Sequence, residues 1–451
     1  QAHLVRKGIA ERVLVDRPTM TGEQKEALDY LLQSSGSIQC VSGMAGTGKT
    51  YLLDAAREAW ERQGFTVLGC SLAARAALQL EKDAHIPSVS IAKFLHQLDP
   101  PGEVFAKHHA KQLTRAAQGK PTYAWEKPKL GPKTVVVVDE AGMVGTRDME
   151  KLISSVLDAG GKIVLVGDER QLQPINAGGP FAALREKFGG VELKDITRQN
   201  EEWMREAVRQ FADGDARGAL TQYALAERLH VESNRASAIE RLIEHWHEQR
   251  TPDLSETLIL AGTNADVTGL NELAQSTRLK HGEIEHKGAI RVRSGTFHEG
   301  DRVRFTENDR SLGVLNGDQG TIETVRPGGL LSSPTILVRL DRSQQEGKRE
   351  MPLRVTIPLT DDASVRLGYA TTVHKAQGAT VDRAFVLSGS WMDDRELAYV
   401  QMSRSRDLTR IYVSDAEAGE DLSELARCMS QSHSKRLAHT IQDQQRQAIR
   451  M

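Results

Sequence analysis

Cysteine is scarce in this chain: three among 451 residues, Cys40, Cys70 and Cys428, far apart and without a C-x-x-C pair. That pattern excludes a disulfide scaffold, the common zinc sites and an iron–sulfur cluster. Cys40 and Cys70, each in an apolar strand-like run, read as plain core residues. Long hydrophobic runs are missing as well. No apolar stretch approaches the ~18 residues of a membrane-spanning helix, and the N-terminus has no leader-like apolar segment, so a cytoplasmic protein without a membrane partner is expected. An excess of one charge is the third absence. Lys and Arg number 59 against 61 Asp and Glu, a formal net of −2, so any nucleic-acid contact must use local positive potential lining a groove. What remains is an ordinary globular composition, 39% hydrophobic and 27% charged, at a length that predicts two or three domains. The chain opens on Gln1 rather than Met, which predicts a part of something longer.

The stretch that organises the rest is Gly43-Met44-Ala45-Gly46-Thr47-Gly48-Lys49-Thr50. A short apolar run, residues 37–41, precedes it, and residues 51–62 carry helical spacing. Strand, glycine-rich loop, Gly-Lys-Thr and helix together make a phosphate-binding loop. Its glycines Gly43, Gly46 and Gly48, with Thr47, let backbone N–H groups turn toward phosphates, and the helix N-terminus adds partial positive charge. Lys49 is expected to reach the γ-phosphate and the Thr50 hydroxyl to hold Mg²⁺, so ATP and Mg²⁺ are the expected cofactors. Upstream, Thr21 and Gln24 fit a capping box opening a helix through Leu32, and Gln24 is also placed to contact adenine.

Further along, four consecutive valines lead into Asp139-Glu140-Ala141-Gly142. Such a run marks a strand buried on both faces, with carboxylates at the end where doubly wound sheets hold ligands. Asp139 is expected in the Mg²⁺ shell, and Glu140 to orient the attacking water. A third run ends in Gly167-Asp168-Glu169-Arg170-Gln171-Leu172-Gln173-Pro174, where Gln171 can sense the γ-phosphate. Arg198, in Thr197-Arg198-Gln199, is a candidate second cation. Between residues 99 and 132 the periodicity is lost among lysines and histidines, reading as a surface insertion. Tyr123 and Trp125 lie there among Lys107, Lys111, Arg115, Lys120, Lys127 and Lys129, a pairing suited to stacking on a base at a strand junction.

The second half opens another α/β core at residues 257–264. His245-Trp246-His247 has metal-ligand spacing on a strand, but Ile239, Leu242, Ile243 and Trp246 repeat helically, so the histidines point apart and read as a solvated helix end. Over residues 290–360 short β-like runs alternate with Gly, Asn and Pro turns, the pattern of a small β-barrel insertion. Then follow Leu367-Gly368-Tyr369-Ala370-Thr371-Thr372-Val373-His374-Lys375-Ala376-Gln377-Gly378 and Tyr399-Val400-Gln401-Met402-Ser403-Arg404-Ser405-Arg406. Hydroxyls and a lysine at strand tips suit single-strand phosphate contacts.

In this order the motifs resemble motifs I to VI of superfamily 1B, RecD-like DNA helicases, closest to the helicase region of conjugative relaxases of the TraI/TrwC kind. The resemblance covers roughly residues 17–414. It implies an α/β fold of two RecA-like P-loop domains, 1–200 with a small insertion at about 99–132 and 201–415 with an SH3-like β-barrel insertion at about 290–360, then a helical tail or linker at 416–451. It implies an ATP-dependent helicase and translocase on single-stranded DNA, 5′ to 3′, acting at duplex junctions, with Arg404 as arginine finger and Gln377 and Gly378 near the nucleotide. Ser71, Arg75, Lys93, Phe94, Thr372, His374 and Lys375 would contact DNA. Arg75 stands where the family's motif Ia usually has Lys, and Ala92 where motif Ib has His. A covalently linked relaxase domain upstream is the implied partner. The rival readings are a RecD-type repair helicase and an inactive single-strand-binding module. The 99–132 insertion is a candidate wedge for parting the duplex.

Overall fold

Runs of β-branched residues that are apolar on both faces can only be buried between layers of helix, and the chain builds two sheets from them. The computed structural model describes residues 3–99, 102, 127–172, 179–285, 288–309, 311–329, 333–346, 349–360, 363–389 and 393–432. Two compact units divide the described chain after Thr197.

The first unit is a six-stranded sheet of β1 (Ile38–Gly43), β2 (Thr66–Ser71), β3 (Ser88–Ser90), β4 (Thr134–Asp139), β5 (Lys162–Gly167) and β6 (Val191–Leu193). Its order is β3-β2-β4-β5-β1-β6 and every pairing is parallel. The side chains of Val135 to Val138 are fully buried, alternating between two hydrophobic clusters on opposite faces of the sheet. One cluster takes helices Gly22–Gln33 and Lys49–Arg62, centred on the fully buried Trp60; the other takes Ile91–Leu98 and Thr146–Asp158. Burying each such apolar side chain is worth about 1.5–3 kcal/mol, which holds the strand ends in fixed register. Most of the 99–132 stretch, including Lys107, Lys111, Arg115, Lys120, Tyr123 and Trp125, lies outside the described residues, and with it the expected wedge.

The second unit has a five-stranded parallel sheet of β7 (Leu229–Glu232), β8 (Thr257–Ala261), β16 (Ala370–Thr372), β17 (Val381–Leu387) and β18 (Ser405–Ser414), ordered β16-β8-β17-β18-β7. Between β8 and β16 the chain leaves this sheet through helix Asn264–Lys280. It then forms β9 (Ile290–Val292), β10 (Gly295–Phe297), β11 (Arg302–Phe305), β12 (Gln319–Arg326), β13 (Thr335–Glu346), β14 (Arg349–Pro358) and β15 (Val365–Leu367). The first two pair with each other; the other five form an antiparallel sheet, β14-β13-β12-β11-β15, with its own core around Phe297, Val303 and Ile336. The insertion expected over 290–360 is therefore an antiparallel body that runs on to Leu367 and delivers the chain straight into β16. A polar cluster ties it to the parallel core. Asp301 is buried and accepts from the Tyr369 hydroxyl (2.7 Å) and from Gln275 Nε2 (2.6 Å). Arg278 donates to Gly300 O and to the Tyr369 oxygen.

Past Glu417 the chain does not peel away at once. Helix Ser423–Ser430 buries Leu425 and Met429, and Arg395 N donates to Gln431 O. The two histidines of helix Arg235–Gln249 do point apart, but they are not a solvated end. His245 Nδ1 lies 2.8 Å from the Tyr412 hydroxyl, and His247 Nε2 lies 2.8 Å from Glu283 Oε1. Packing of the helix on β18 brings Tyr412 to His245, and the chain just past helix Asn264–Lys280 brings Glu283 to His247, which periodicity alone does not reveal.

Candidate active site

The phosphate loop leaves β1 and enters helix Lys49–Arg62 with Gly46 and Gly48 at φ +82° and +77°. This left-handed backbone favours glycine. At Gly48 there is a second reason: a Cβ there would lie 2.5 Å from Gln24 Nε2. Gln24 completes the capping box with Thr21, its Oε1 accepting from Thr21 N, while its Nε2 donates to Thr47 O at 2.9 Å. In this structure the Gln24 amide braces the loop from behind. The helix N-cap, Gly48, makes no side-chain cap, so no side chain of its own covers the N-terminal amide groups. Lys49 Nζ folds onto the loop, donating to Gly43 O (2.7 Å) and Met44 O (3.1 Å). The Thr47 hydroxyl also donates to Met44 O (2.9 Å). Thr197 steadies the far side, its N–H and hydroxyl both directed at Gly46 O (2.9 and 3.0 Å).

Two strands away, β4 ends on Asp139, and Glu140 is held at φ +53°. A non-glycine residue in that region is uncommon and costly, and such strain clusters at working sites. Burial and the neighbouring Glu140 charge push the Asp139 carboxyl up to about 7, with Lys49 opposing. Lys49, Asp139 and Glu140 thus share one electrostatic environment. An oxygen-rich spot short of positive charge, with the Thr50 hydroxyl opening the adjoining helix, suits a hard divalent cation such as Mg²⁺. Among the described residues no cluster of three or more His, Cys, Asp or Glu forms a site for any other metal.

The third motif packs directly on the second. A Cβ at Gly167 would lie 2.8 Å from Gly142 N, so only glycine permits the approach. Beyond it Asp168 is buried and orients Gln171, which donates Nε2 to Asp168 Oδ2 at 3.0 Å. Asp168 and Thr197 are positioning residues that the motif reading passed over, although the Gly-Asp-x-x-Gln spacing already contained the first.

In the second unit Arg198 and Arg404 gather on one residue. Arg198 Nη1 donates to Ser403 O (2.7 Å), and Arg404 Nη2 donates to the Ser403 hydroxyl (2.7 Å). Arg404 is almost fully buried and further donates to Val400 O and Ala379 O. Thr372 is buried at the end of β16, His374 and Lys375 stand exposed on the short helix Val373–Ala376, and Gly378 follows at φ +81° with the preceding Gln377 as the helix C-cap.

Besides Thr372, two further residues expected to touch DNA do not face solvent. Phe94 lies on the apolar side of its amphipathic helix and packs in the core; Ser71 is fully buried in the sheet, in register between Ser90 on β3 and Asp139 on β4. Arg75 and Lys93 are exposed near the same strand ends.

A family model described as an AAA domain matches residues 19–234. The conjugal transfer protein TraA of Agrobacterium fabrum is 34% identical over 416 residues, covering 91% of this chain and 34% of that protein. The RecBCD enzyme subunit RecD of Mycobacterium tuberculosis is 27% identical over 437 residues, covering 88% of this chain and 70% of that one. The crystal structure of Pif1 helicase from Bacteroides in complex with ADP-AlF3 and ssDNA matches with a TM-score of 0.51 at 18% identity, covering 94% of this chain and 96% of that chain, a likeness of fold. The chain spans about a third of the length of the conjugal transfer relatives it matches. No described helix is long and apolar enough to cross a membrane.

Proposed function

We propose that this chain is a RecD-like superfamily 1B helicase, an ATP-dependent DNA helicase and single-strand translocase working as the helicase part of a conjugative relaxase, a reading supported by the AAA-domain match and by the similarity to TraA and RecD. The observation that carries this reading is the loop itself: two left-handed glycines lead into a helix N-terminus with no side-chain cap, Lys49 Nζ lies over the loop carbonyls, and Asp139 ends a strand of the same sheet. In the mechanism this implies, incoming phosphates take the N–H groups of the loop, and the Lys49 ammonium exchanges the carbonyls of Gly43 and Met44 for the γ-phosphate. Thr50 and Asp139 would hold Mg²⁺, which neutralises phosphate charge. Glu140 holds a water in line, and Gln171, pinned by Asp168, reports whether the γ-phosphate is present. Arg198 and Arg404 are the cations proposed to act on the charge that develops during transfer. On the nucleic-acid side, Arg75, Lys93, Thr372, His374 and Lys375 are proposed to grip a single strand by its phosphates.

The conjugative setting is supported by the match to the conjugal transfer protein TraA; the cytoplasm, a linked relaxase domain, action at duplex junctions and 5′ to 3′ movement are further parts of the same proposal. The match to RecD, which covers 70% of that subunit, favours a recombination helicase as the second reading. The test is ATP hydrolysis by the purified chain with and without oligothymidylate, followed by unwinding of duplexes carrying a 5′ or a 3′ tail. Strong stimulation and a 5′-tail requirement are expected. Hydrolysis indifferent to DNA would overturn the helicase reading; unwinding that needs a 3′ tail would overturn the polarity.

A further inference from the structure

Strand β6 closes the outer edge of the first sheet and ends at Leu193; residues 194–197 follow it outside any strand. This segment runs along the phosphate loop. Leu193 O accepts from Met44 N (3.0 Å), and Thr197 directs its N–H and hydroxyl at Gly46 O (2.9 and 3.0 Å). Leu193 and Ile196 are buried and anchor the segment from within, whereas Lys194 and Asp195 are exposed. Backbone N–H groups past the end of a ladder must find other partners. Those of Lys194 and Asp195 share one acceptor, Glu23 Oε2, at 2.7 and 2.9 Å. A glutamate in the first turn of a helix ordinarily offsets the positive end of the helix dipole. Glu23 sits in that turn of helix Gly22–Gln33, yet these two bonds carry its carboxylate away from the helix to the segment beside the loop. Its neighbour Gln24 holds Thr47 O at 2.9 Å. One helical turn therefore fixes the loop twice, directly at Thr47 and, through Thr197, at Gly46.

We infer that Glu23 is a positioning residue for nucleotide binding: it pins residues 194–197, and Thr197 in turn sets the peptide planes of the phosphate loop. In a trans peptide the carbonyl and the next N–H point opposite ways. Thr197 on Gly46 O therefore fixes the direction of the Thr47 N–H, and Gln24 on Thr47 O fixes that of the Gly48 N–H. Glu23 touches no phosphate itself. Its effect on affinity is preorganisation, because a loop already set binds without first being ordered. The inference rests on the phosphate-loop reading above and deepens it by naming what holds the loop in shape.

Binding of a fluorescent ADP to the purified chain, with thermal melting alongside, tests it. Glu23→Ala should weaken binding about fivefold to tenfold, the scale of two charge-assisted hydrogen bonds to a half-buried carboxylate. The KM for ATP should rise with kcat much less affected. Two further variants separate this role from the helix dipole. Glu23→Gln gives up the charge but keeps an acceptor oxygen at the same reach, and should retain most of the affinity. Glu23→Asp keeps the charge at the helix start, and so the fold, but draws the acceptor back by one methylene, and should lose affinity. A dipole role predicts the reverse order. Thr197→Val removes the hydroxyl bond to Gly46 O, and combined with Glu23→Asp its loss should be less than additive, since both act through one segment. Unchanged affinity in Glu23→Asp, a loss in Glu23→Gln as large as in Glu23→Ala, or strict additivity with Thr197→Val would overturn the role. A Lys49→Ala variant that binds the nucleotide as tightly as the parent would instead bring down the phosphate-loop reading itself.

Discussion

The two parallel sheets begin their central helices in the same way and put those helix starts to different uses. In the first, β1 turns through two left-handed glycines into a helix whose N-cap has no side-chain bond. In the second, β8 turns through Gly262 and Thr263 into helix Asn264–Lys280, and the Thr263 hydroxyl caps it, accepting from Asp266 N and donating to Asp266 Oδ2. Asp266 in turn pairs with Arg235 at 2.9 Å. A helix N-terminus is an anion site only while its amide groups are unanswered. The second unit answers them with its own hydroxyl and carboxylate. It keeps the layered parallel sheet but closes the helix start after β8, and the residues proposed for strand contact and charge stabilisation lie instead after β16 and around Ser403. Layer and topology are thus poor guides to which unit offers a phosphate seat; the glycine-rich loop and the uncapped helix start behind it distinguish the first from the second.

The most damaging way to break this contrast is Lys49→Ala. ATP hydrolysis should fall to background while oligonucleotide binding stays largely intact, as steady-state kinetics and anisotropy will show. Turnover near the parental rate would mean the first unit's loop is not the phosphate seat. Arg404→Ala comes next, with a loss of roughly 10³–10⁵ in kcat if it stabilises developing charge and little change in nucleotide affinity. A change confined to KM would contradict that role. Because Arg404 also donates to three neighbours, a melting curve must accompany the kinetics.

A third variant probes the core of the first sheet. Lys162 begins β5 fully buried, with its ammonium on Leu31 O at 2.7 Å and 5.8 Å from the Trp60 ring centre, and burial lowers its pKa to about 7. Between pH 7 and about 10 the unfolded chain holds the proton that the folded chain has released, so stability should rise with pH across that window. Lys162→Met should flatten that rise and raise stability at pH 7 by about 1–4 kcal/mol, given about 1.4 kcal/mol per pKa unit and partial relaxation. Denaturant titrations at two pH values decide it; a destabilised variant would show that the ammonium's hydrogen bond outweighs its burial. Smallest in effect, Thr263→Ala should cost about 1 kcal/mol for the lost cap. It should create no nucleotide site, since the second unit lacks the glycine-rich loop. ATP binding by that unit after Thr263→Ala, in a Lys49→Ala background, would show that the cap alone had closed it.

What the residues determined unaided were the things that short-range chemistry fixes. Gly43 to Thr50 can form only a tight, amide-lined turn, the valines before Asp139 can only be a strand buried on both faces, and the order of motifs places them in two α/β cores. Local pattern also marked the inserted β segment, since turn residues and alternation are encoded within a few positions. It could not say which side of a helix or strand finds solvent. Phe94 and Ser71 sit beside surface motifs in sequence and inside the core in space, because burial depends on which layers close over them. His245 and His247 acquired polar partners from β18 and from Glu283, the latter 36 residues farther along. The pairing of Arg304 with Thr371, separated by 67 positions, exists only because the insertion returns through β15 to lie against its own exit. Long-range contacts of this kind are chosen by the packing of whole layers, and no window of sequence contains them.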